Sequence, residues 1–538
     1  MFNYAAHGLI ESAIKLDLPG GGPHTIGAVL DRQLHLDPAK LALVGRSARF
    51  SYGELDEQVA RAAAVFHAQG LRQYDRIAAC LPNDVDIIIA LLACARLGAI
   101  WVGINRPLAP PEKMALLQDS GARIYLTDLA GCEEIGSQRS NLPMLEQVIC
   151  VESASPSSVW HNLLSTVERK PIPAVTIDPF EPAAIAYTSG TTGAPKGAVH
   201  SHHNVLLPGA IAAHENRFGP GCPVGAHLPL TILNLMVLAP MHAFQAGAAC
   251  VCMDSLKPRD MARWVRQERI GHFSSVPTVM QDLLISPDVD PLDLASLGCP
   301  DVGGAGIAES FQRLYRERFG RPMTVAYGMT EAPTIVAKTD RDREPENELC
   351  GRAVAQVDIV IVGQGDQPLP TGEIGEICVR PARGGPYARV YTPMLGYWDR
   401  SDATAEALAN GLYHTGDLGL VDASGELYIR GRRKELILRG GANVYPGEVE
   451  RLLAAHPKVA EAAVLGIPDE RLGQRIVVVV QLLEGVANFD EAGLSAELSA
   501  FCREHIARYK VPEQFRFVSS LPRNAMNKVV KPQLLHLF

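Results

Sequence analysis

The sequence predicts an α/β protein in two parts: a large N-terminal domain with mixed sheets and flanking helices, residues 1–433, and a small α+β C-terminal domain, residues 434–538. Three observations predict it. Strand-like and helix-like patterns alternate through the first hundred residues, the pattern changes after Gly372, and a charged junction at Gly431 to Glu435 opens a compact run of roughly 105 residues. At 538 residues the chain also exceeds what one hydrophobic core organises.

The elements follow in order. Ser51 and Glu54 form a capping-box pattern, and Leu55, Val59, Ala62, Ala63 and Phe66 continue it at helical spacing. Ile77 to Cys80 reads as a strand, Asp86 to Leu97 as an apolar helix, and Ile100 to Ile104 as another strand, the signature of βαβ units. Ala183 to Ala186 is a short buried strand, and Glu373 to Val379 a strand between turn residues. Leu228 to Leu238 is apolar but broken by Pro229, Thr231 and Asn234, so it predicts a buried wall and not a membrane span, which needs about 20 apolar residues. In the C-terminal part the pattern gives a helix at Gly447 to Ala455, strands near Ala462 to Gly466 and Ile476 to Leu482, and a helix at Ala496 to Ile506.

Composition narrows the function. Apolar residues make up 47% and charged residues 20%, as in globular enzymes. A net charge of −9 argues against nucleic acid as a partner. Eleven cysteines without a pairing pattern, and a start at Met1 to Asp17 that lacks a basic segment leading into an apolar run, predict a cytoplasmic protein.

Tyr187 to Gly197 reads Tyr-Thr-Ser-Gly-Thr-Thr-Gly-Ala-Pro-Lys-Gly and follows the Ala183 strand. Its glycines and hydroxyls suit close approach to phosphate oxygens. A kinase-type P-loop is excluded, because Pro195 removes an N–H and Gly197 cannot hold a metal where that loop needs Ser or Thr. Further on stand Gly303-Gly304-Ala305, Tyr327-Gly328-Met329-Thr330-Glu331, Tyr413-His414-Thr415-Gly416-Asp417, Gly431-Arg432-Arg433-Lys434 and Leu521 to Lys528.

Each segment alone is more often a turn, a cap or a solvated surface. Together and in this order they resemble the signatures of the adenylate-forming superfamily, which holds acyl-CoA synthetases, carrier-protein adenylation domains and luciferases, over about Ser51 to Lys531. The resemblance implies a nucleotide site of Thr188, Ser189, Gly190, Thr191, Thr192, Gly193 and Lys196, with Gly304, Ala305, Tyr327 and Gly328 around adenine. It implies Thr330 on the α-phosphate, Mg²⁺ on Glu331 and Thr188, and Asp417 and Arg432 on the ribose. It also implies that Lys528 is the catalytic lysine, that the C-terminal domain is mobile about a hinge at Lys434, and that Gly440 and Gly441 line a pantetheine tunnel. The family usually has Gly where Asn527 stands; Asn tolerates positive φ better than most residues. Lys531 is a nearby rival for the catalytic role.

The implied reaction is activation of a monocarboxylic acid by ATP to acyl-adenylate and pyrophosphate, then transfer to coenzyme A. Transfer to a carrier protein is the alternative, disfavoured because no carrier segment follows Lys531 and Pro229 to Ile232 lacks an aspartate for an α-amine. Against CoA, Leu472 stands where some CoA-binding relatives have an aromatic. A silent binding protein would have lost Lys196, Glu331, Asp417 or Lys528, and all four are present. The stretch Leu228 to Gln245 has no Lys or Arg, so a second free carboxylate there would cost on the order of several kcal/mol, and Ala326 replaces the basic residue of malonate-activating relatives. The histidine that relatives carry near Ile232 is missing, so chain length stays open among fatty, alicyclic and aromatic acids. ATP, Mg²⁺, CoA and the acid are the expected partners, with a homodimer as a candidate assembly.

Overall fold

Contacts divide the chain into two units, Met1–Ile359 with Val379–Tyr413, and Val360–Cys378 with His414–Phe538. The computed structural model describes residues 2–136, 138–152, 158–167, 175–188, 195–217, 219, 221–298, 300–303, 309–340, 342–343, 346, 348–483, 485–486, 489–523 and 529–538.

The first unit carries a seven-stranded sheet in the order Gly396–Tyr397, Lys196–Ser201, Pro182–Thr188, Ile100–Gly103, Arg76–Cys80, Ile124–Thr127, Gln147–Cys150. From Pro182–Thr188 to Gln147–Cys150 the pairs are parallel, and the two strands at the other edge add antiparallel. The expected βαβ pattern is therefore present. Its helix Val85–Arg96 is apolar all round and buried on every face, as a helix inside a layered core must be. Ser51 caps Tyr52–Ala68 reciprocally with Glu54, at 3.2 Å and 2.8 Å.

A four-stranded sheet pairs Arg49–Ser51, Leu41–Val44, Cys250–Cys252 and Val224–Ala226. Ser274–Ser275, Asp301–Gly303, Val325–Met329, Thr334–Lys338 and Leu349–Ala353 run side by side in another sheet. The apolar stretch expected as a wall folds as Leu233–Met236, a five-residue π-turn Val237–Met241, and His242–Gln245. Pro240 lies inside the π-turn and has no N–H to close an α-turn, which favours the wider one. Met236, Val237, Met241 and Phe244 are all buried there.

Largely within the second unit, Tyr413–Val421 pairs antiparallel with Leu427–Arg432, followed across the sheet by Gly375–Pro381 and Val357–Val362, whose residues Val379–Pro381 and Val357–Ile359, like Tyr413, belong to the first. A separate sheet joins Val459–Asp469, Gly473–Leu482, Gln514–Val518 and the hairpin Ile437–Arg439/Ala442–Val444. Its central strand is buried on both faces. Ile476, Val478 and Val480 meet the helices Pro446–Ala454 and Glu491–His505, whereas Val477 and Val479 meet Leu521 and Leu534. The second helix starts five residues earlier than the sequence pattern suggests, because Asp490 caps it through Ala492 N and Gly493 N.

His200, His202, His227 and His242 are buried in the first unit, and burial pushes their pKa values down to about 3, 4, 3 and 3. Each is neutral in the fold but binds a proton when unfolded below about pH 6.5, so stability is present at neutral pH and falls with acidification toward the folded pKa values. Thermal or urea unfolding of the whole chain between pH 7 and 4 is expected to show it, each histidine contributing about 1.4 kcal/mol per pH unit within its window. A flat profile over that range would contradict neutral burial.

Candidate active site

Two antiparallel strands hold the ends of the glycine-rich loop. Thr188 lies opposite Lys196 in register, and its hydroxyl donates to Lys196 O at 3.4 Å. Ser189, Gly190, Thr191, Thr192 and Gly193 lie outside the described residues. Tyr187 anchors the loop's base by donating to Asp119 at 2.7 Å, while Arg400 binds the other oxygen of Asp119. Gly197 is required by packing, since a Cβ there would stand 2.5 Å from Ile185.

The same edge brings in a residue that the motifs do not include. Gly396–Tyr397 pairs with the Lys196–Ser201 strand, placing Tyr397 opposite Ala198. Lys196 Nζ lies 5.0 Å from the centre of the Tyr397 ring, within cation–π range. The Tyr397 hydroxyl donates to Glu331 Oε1 at 3.0 Å. Thus Lys196 and Glu331, 135 positions apart, meet around one phenol.

Tyr327 is buried on Val325–Met329, between Asp301–Gly303 and Thr334–Lys338. Thr330 and Glu331 occupy the turn beyond it, half-buried, and Gly328 is exposed. Asn234 fixes this turn by donating from Nδ2 to Met329 O at 3.0 Å. Tyr413 is buried, and desolvation followed by the nearby charge of Glu331 pushes its hydroxyl pKa well up. Gly304 and Ala305 lie outside the described residues.

In the second unit Asp417 and Arg432 face each other in register, Oδ1 to Nε 2.7 Å. Asp417 is buried, whereas Arg432 is exposed. Thr415 braces the turn by accepting from Asp417 N at 3.0 Å and donating to Ile377 O at 2.7 Å. Gly416 has φ +72°, a conformation that glycine adopts without strain. Glu376 accepts from Gly416 N at 3.1 Å and binds Arg433 Nη1 at 2.8 Å. Donor atoms of Glu376, Cys378 and His414 lie within 4.8 Å of one another. Because Arg433 and Gly416 already occupy both oxygens of Glu376, this grouping works as a positioning network.

Lys434 is exposed in the 3₁₀ turn Arg433–Glu435. Lys528 lies outside the described residues. Its rival Lys531 is engaged with Glu435 at 2.6 Å and Glu450 at 2.8 Å. Burial opposes the Lys531 charge, but the two carboxylates outweigh it and raise the pKa. A cation held this way is a structural tie. Gly440 and Gly441, at φ +59° and +84°, form the two-residue tip of the hairpin Ile437–Val444, a turn that demands positive φ at both positions.

The AMP-binding enzyme family matches residues 30–398, and the AMP-binding enzyme C-terminal domain matches residues 448–528. The chain belongs to this family. It is 33% identical to a 7a-methyl-1,5-dioxo-octahydro-1H-inden-4-yl propanoyl:CoA ligase of Mycobacterium tuberculosis, over 95% of this chain and 99% of the relative. It is also 33% identical to an indoleacetate–CoA ligase of Aromatoleum aromaticum, over 94% and 97%. The ATP-bound crystal structure of MatB from Rhodopseudomonas palustris superposes with a TM-score of 0.84 at 28% identity, covering 96% of this chain and 99% of that one. This protein is an acyl-CoA synthetase: it activates a carboxylic acid with ATP as an acyl-adenylate and passes the acyl group to CoA.

Tyr397, Asn234 and Glu376 are not singled out by sequence reading. Tyr397 sits in an apolar run, Asn234 looks like a break in one, and Glu376 like a polar position in a strand. Tyr397→Phe keeps the ring over Lys196 but removes the bond to Glu331. Acyl-adenylate formation is expected to slow by about five- to thirtyfold, the kinetic equivalent of roughly 1–2 kcal/mol. An unchanged single-turnover rate would show that Glu331 does not depend on this phenol.

Proposed function

We propose that the acid is a monocarboxylic acid with a bulky apolar body, alicyclic, aromatic or aliphatic. The observation that carries this is the wall Leu233–Gln245, where Met236, Val237, Met241 and Phe244 are buried and no Lys or Arg stands. Ala326 beside Tyr327 adds no charge. A second carboxylate would be stripped of water there without a partner. The bicyclic and indole acids in the names of the two ligases described above fit the same class.

On this reading the carboxylate oxygen attacks the α-phosphorus of ATP and pyrophosphate leaves; then the CoA thiol, losing its proton, attacks the acyl carbonyl and AMP leaves. Thr188 to Gly193 and Lys196 hold the phosphates, Gly304, Ala305, Tyr327 and Gly328 hold adenine, Thr330 contacts the α-phosphate, and Asp417 with Arg432 binds the ribose. Glu331 and Thr188 offer hard oxygen donors that suit Mg²⁺, and Glu331 has its second oxygen outside the Tyr397 bond. That ion, when bound, would neutralise phosphate charge. Lys528 supplies a cation as two anions approach, Lys434 is the hinge of a mobile domain 434–538, and Gly440 and Gly441 line the pantetheine path.

Among the described residues no helix is long and apolar enough to cross a membrane, and the ten described cysteines are free thiols. We place the protein in the cytoplasm, acting without nucleic acid, with a homodimer as its candidate assembly.

Pyrophosphate release with an acid panel, with and without CoA, is expected to select bulky monocarboxylates over malonate and succinate; preference for the short diacids would overturn the acid assignment. Lys528→Ala is expected to slow adenylate formation by about 10²-fold or more while sparing thioester formation from supplied acyl-adenylate. Equal damage to both half-reactions would refute the mobile-lysine role. Lys434→Pro fixes φ near −65° and is expected to retain adenylation but lose CoA transfer. Consumption of acyl-adenylate by CoA at the parent rate would move the hinge elsewhere.

A further inference from the structure

Beside the strand end that carries Tyr397 runs an N-terminal arm of the first unit, Phe2 to Ile10. It touches that segment on both flanks. Ile10 N donates to Leu395 O at 2.8 Å, and Asp399 N donates to His7 O at 3.0 Å. Gly8 lies so near Ser401 that a Cβ there would stand 2.7 Å from Ser401 N, and its φ of +62° also asks for glycine. The start of the arm is tied down by Phe2 N, which donates to Glu181 Oε1 at 2.9 Å.

His7 grips the segment with ring and backbone together. Its ring stacks on the buried Trp398 indole, centres 4.1 Å apart and planes at 17°, and its Nδ1 lies 2.8 Å from Asp399 Oδ1. A carboxylate accepts, so Nδ1–H donates, a tautomer assigned from this pair. With the backbone bond, residues 7 and 399 share two hydrogen bonds. They hold Asp399 at φ +51°, a left-handed conformation that Asp tolerates better than most residues but does not prefer.

That conformation bears on the phenol two residues earlier. Trp398 N donates to Gly197 O at 2.8 Å, and Tyr397 pairs with Ala198, so the chain turns out of the sheet immediately afterwards, at Asp399. The strand consists of Gly396 and Tyr397 alone, which leaves its angle dependent on the turn that follows. The Tyr397 side chain is a long lever. A small backbone rotation at its base carries the hydroxyl away from Glu331, and hydrogen bonds weaken steeply with distance and angle.

We propose that His7 is a positioning residue for adenylate formation: by holding Asp399 it sets the aim of the Tyr397 phenol at Glu331. This rests on the reading of Glu331 as the ligand of the Mg²⁺ that accompanies ATP. His7 acts through Tyr397 and not on the reactants, so its effect is confined to the half-reaction that uses ATP.

The test compares single-turnover acyl-adenylate formation, thioester formation from supplied acyl-adenylate, and thermal melting in His7→Phe, His7→Asn, Tyr397→Phe and the double variant His7→Phe with Tyr397→Phe. Phe keeps a ring for Trp398 but cannot bond Asp399; Asn gives up the ring but offers an N–H donor in place of Nδ1. His7→Phe is expected to slow adenylate formation by about three- to tenfold with thioester formation at the parent rate, and His7→Asn to recover most of that loss. Added to Tyr397→Phe, His7→Phe is expected to change the rate by less than about twofold, because the phenol is already cut from Glu331. A parent rate of adenylation in His7→Phe, with or without a lowered melting temperature, would overturn the inference. So would a loss that multiplies with that of Tyr397→Phe, equal damage to both half-reactions, or no recovery in His7→Asn. Should His7→Phe fail to fold, Asp399→Gly removes the acceptor at a residue that takes positive φ freely; the same selective slowing is expected, and a parent rate overturns the inference. Tyr397→Phe alone judges the Glu331 reading. If it leaves adenylation at the parent rate, that reading falls and the inference with it, whereas a slow Tyr397→Phe beside a normal His7→Phe overturns the inference only.

Discussion

The first unit's candidate site is organised by one phenol. Tyr397 reaches the sheet through a two-residue strand, takes Lys196 on its ring and gives its hydroxyl to Glu331. These are different interactions from one rigid side chain, and they fix a cation and an anion without letting them pair directly. A Lys–Glu pair in contact would satisfy itself and have little left for phosphate or metal. Interposing a neutral ring keeps both charges available while still defining where they are. The backbone supports this, because Thr404 Oγ1 accepts from Tyr397 N at 2.9 Å.

The second unit depends on a comparable device built from a buried carboxylate. Glu376 joins Gly416 N–H to the Arg433 guanidinium, so the turn that presents Asp417 and the strand end that presents Arg432 are tied through one side chain. Arg433 precedes Lys434 directly. On the other side, Glu435 holds Lys531, which Glu450 also holds. On the proposed hinge assignment, Lys434 is thus flanked by two charge-assisted ties, Arg433 to Glu376 and Glu435 to Lys531.

The motif residues were legible because their chemistry is contiguous in sequence: a hydroxyl, a carboxylate and an aromatic within five positions need no knowledge of the fold. The capping box at Ser51 and Glu54 was legible for the same reason. Tyr397, Asn234 and Glu376 were not, since each acts through a partner distant in sequence or through a backbone atom. Asn234 donates to a carbonyl 95 positions away, and a polar residue in an apolar run carries no mark of that. The glycine pair at 440–441 shows the converse: its pattern was read as room for a ligand, but the hairpin already requires both glycines for their backbone angles. A tunnel role would be an additional use of residues that the turn selects.

Charge accounting in the wall explains how such a site can be both permissive and selective. The wall holds polar side chains, His227, Asn234, His242 and Gln245, yet no formal charge in its neutral state. Gln245 donates to Leu206 O and Met241 O, and Asn234 to Met329 O, so these amides use their N–H groups to brace the backbone and keep carbonyl oxygens as their remaining polarity. On the proposed acid assignment, a lining of this kind would disfavour an extra carboxylate, because the amide oxygens of Asn234 and Gln245 add acceptors and no cation. It tolerates many neutral apolar bodies, since dispersion is indifferent to detail. On that assignment, discrimination among those bodies would fall to whether a polar substituent finds a partner in the wall, because a buried hydroxyl left unpaired costs more than a methylene gains.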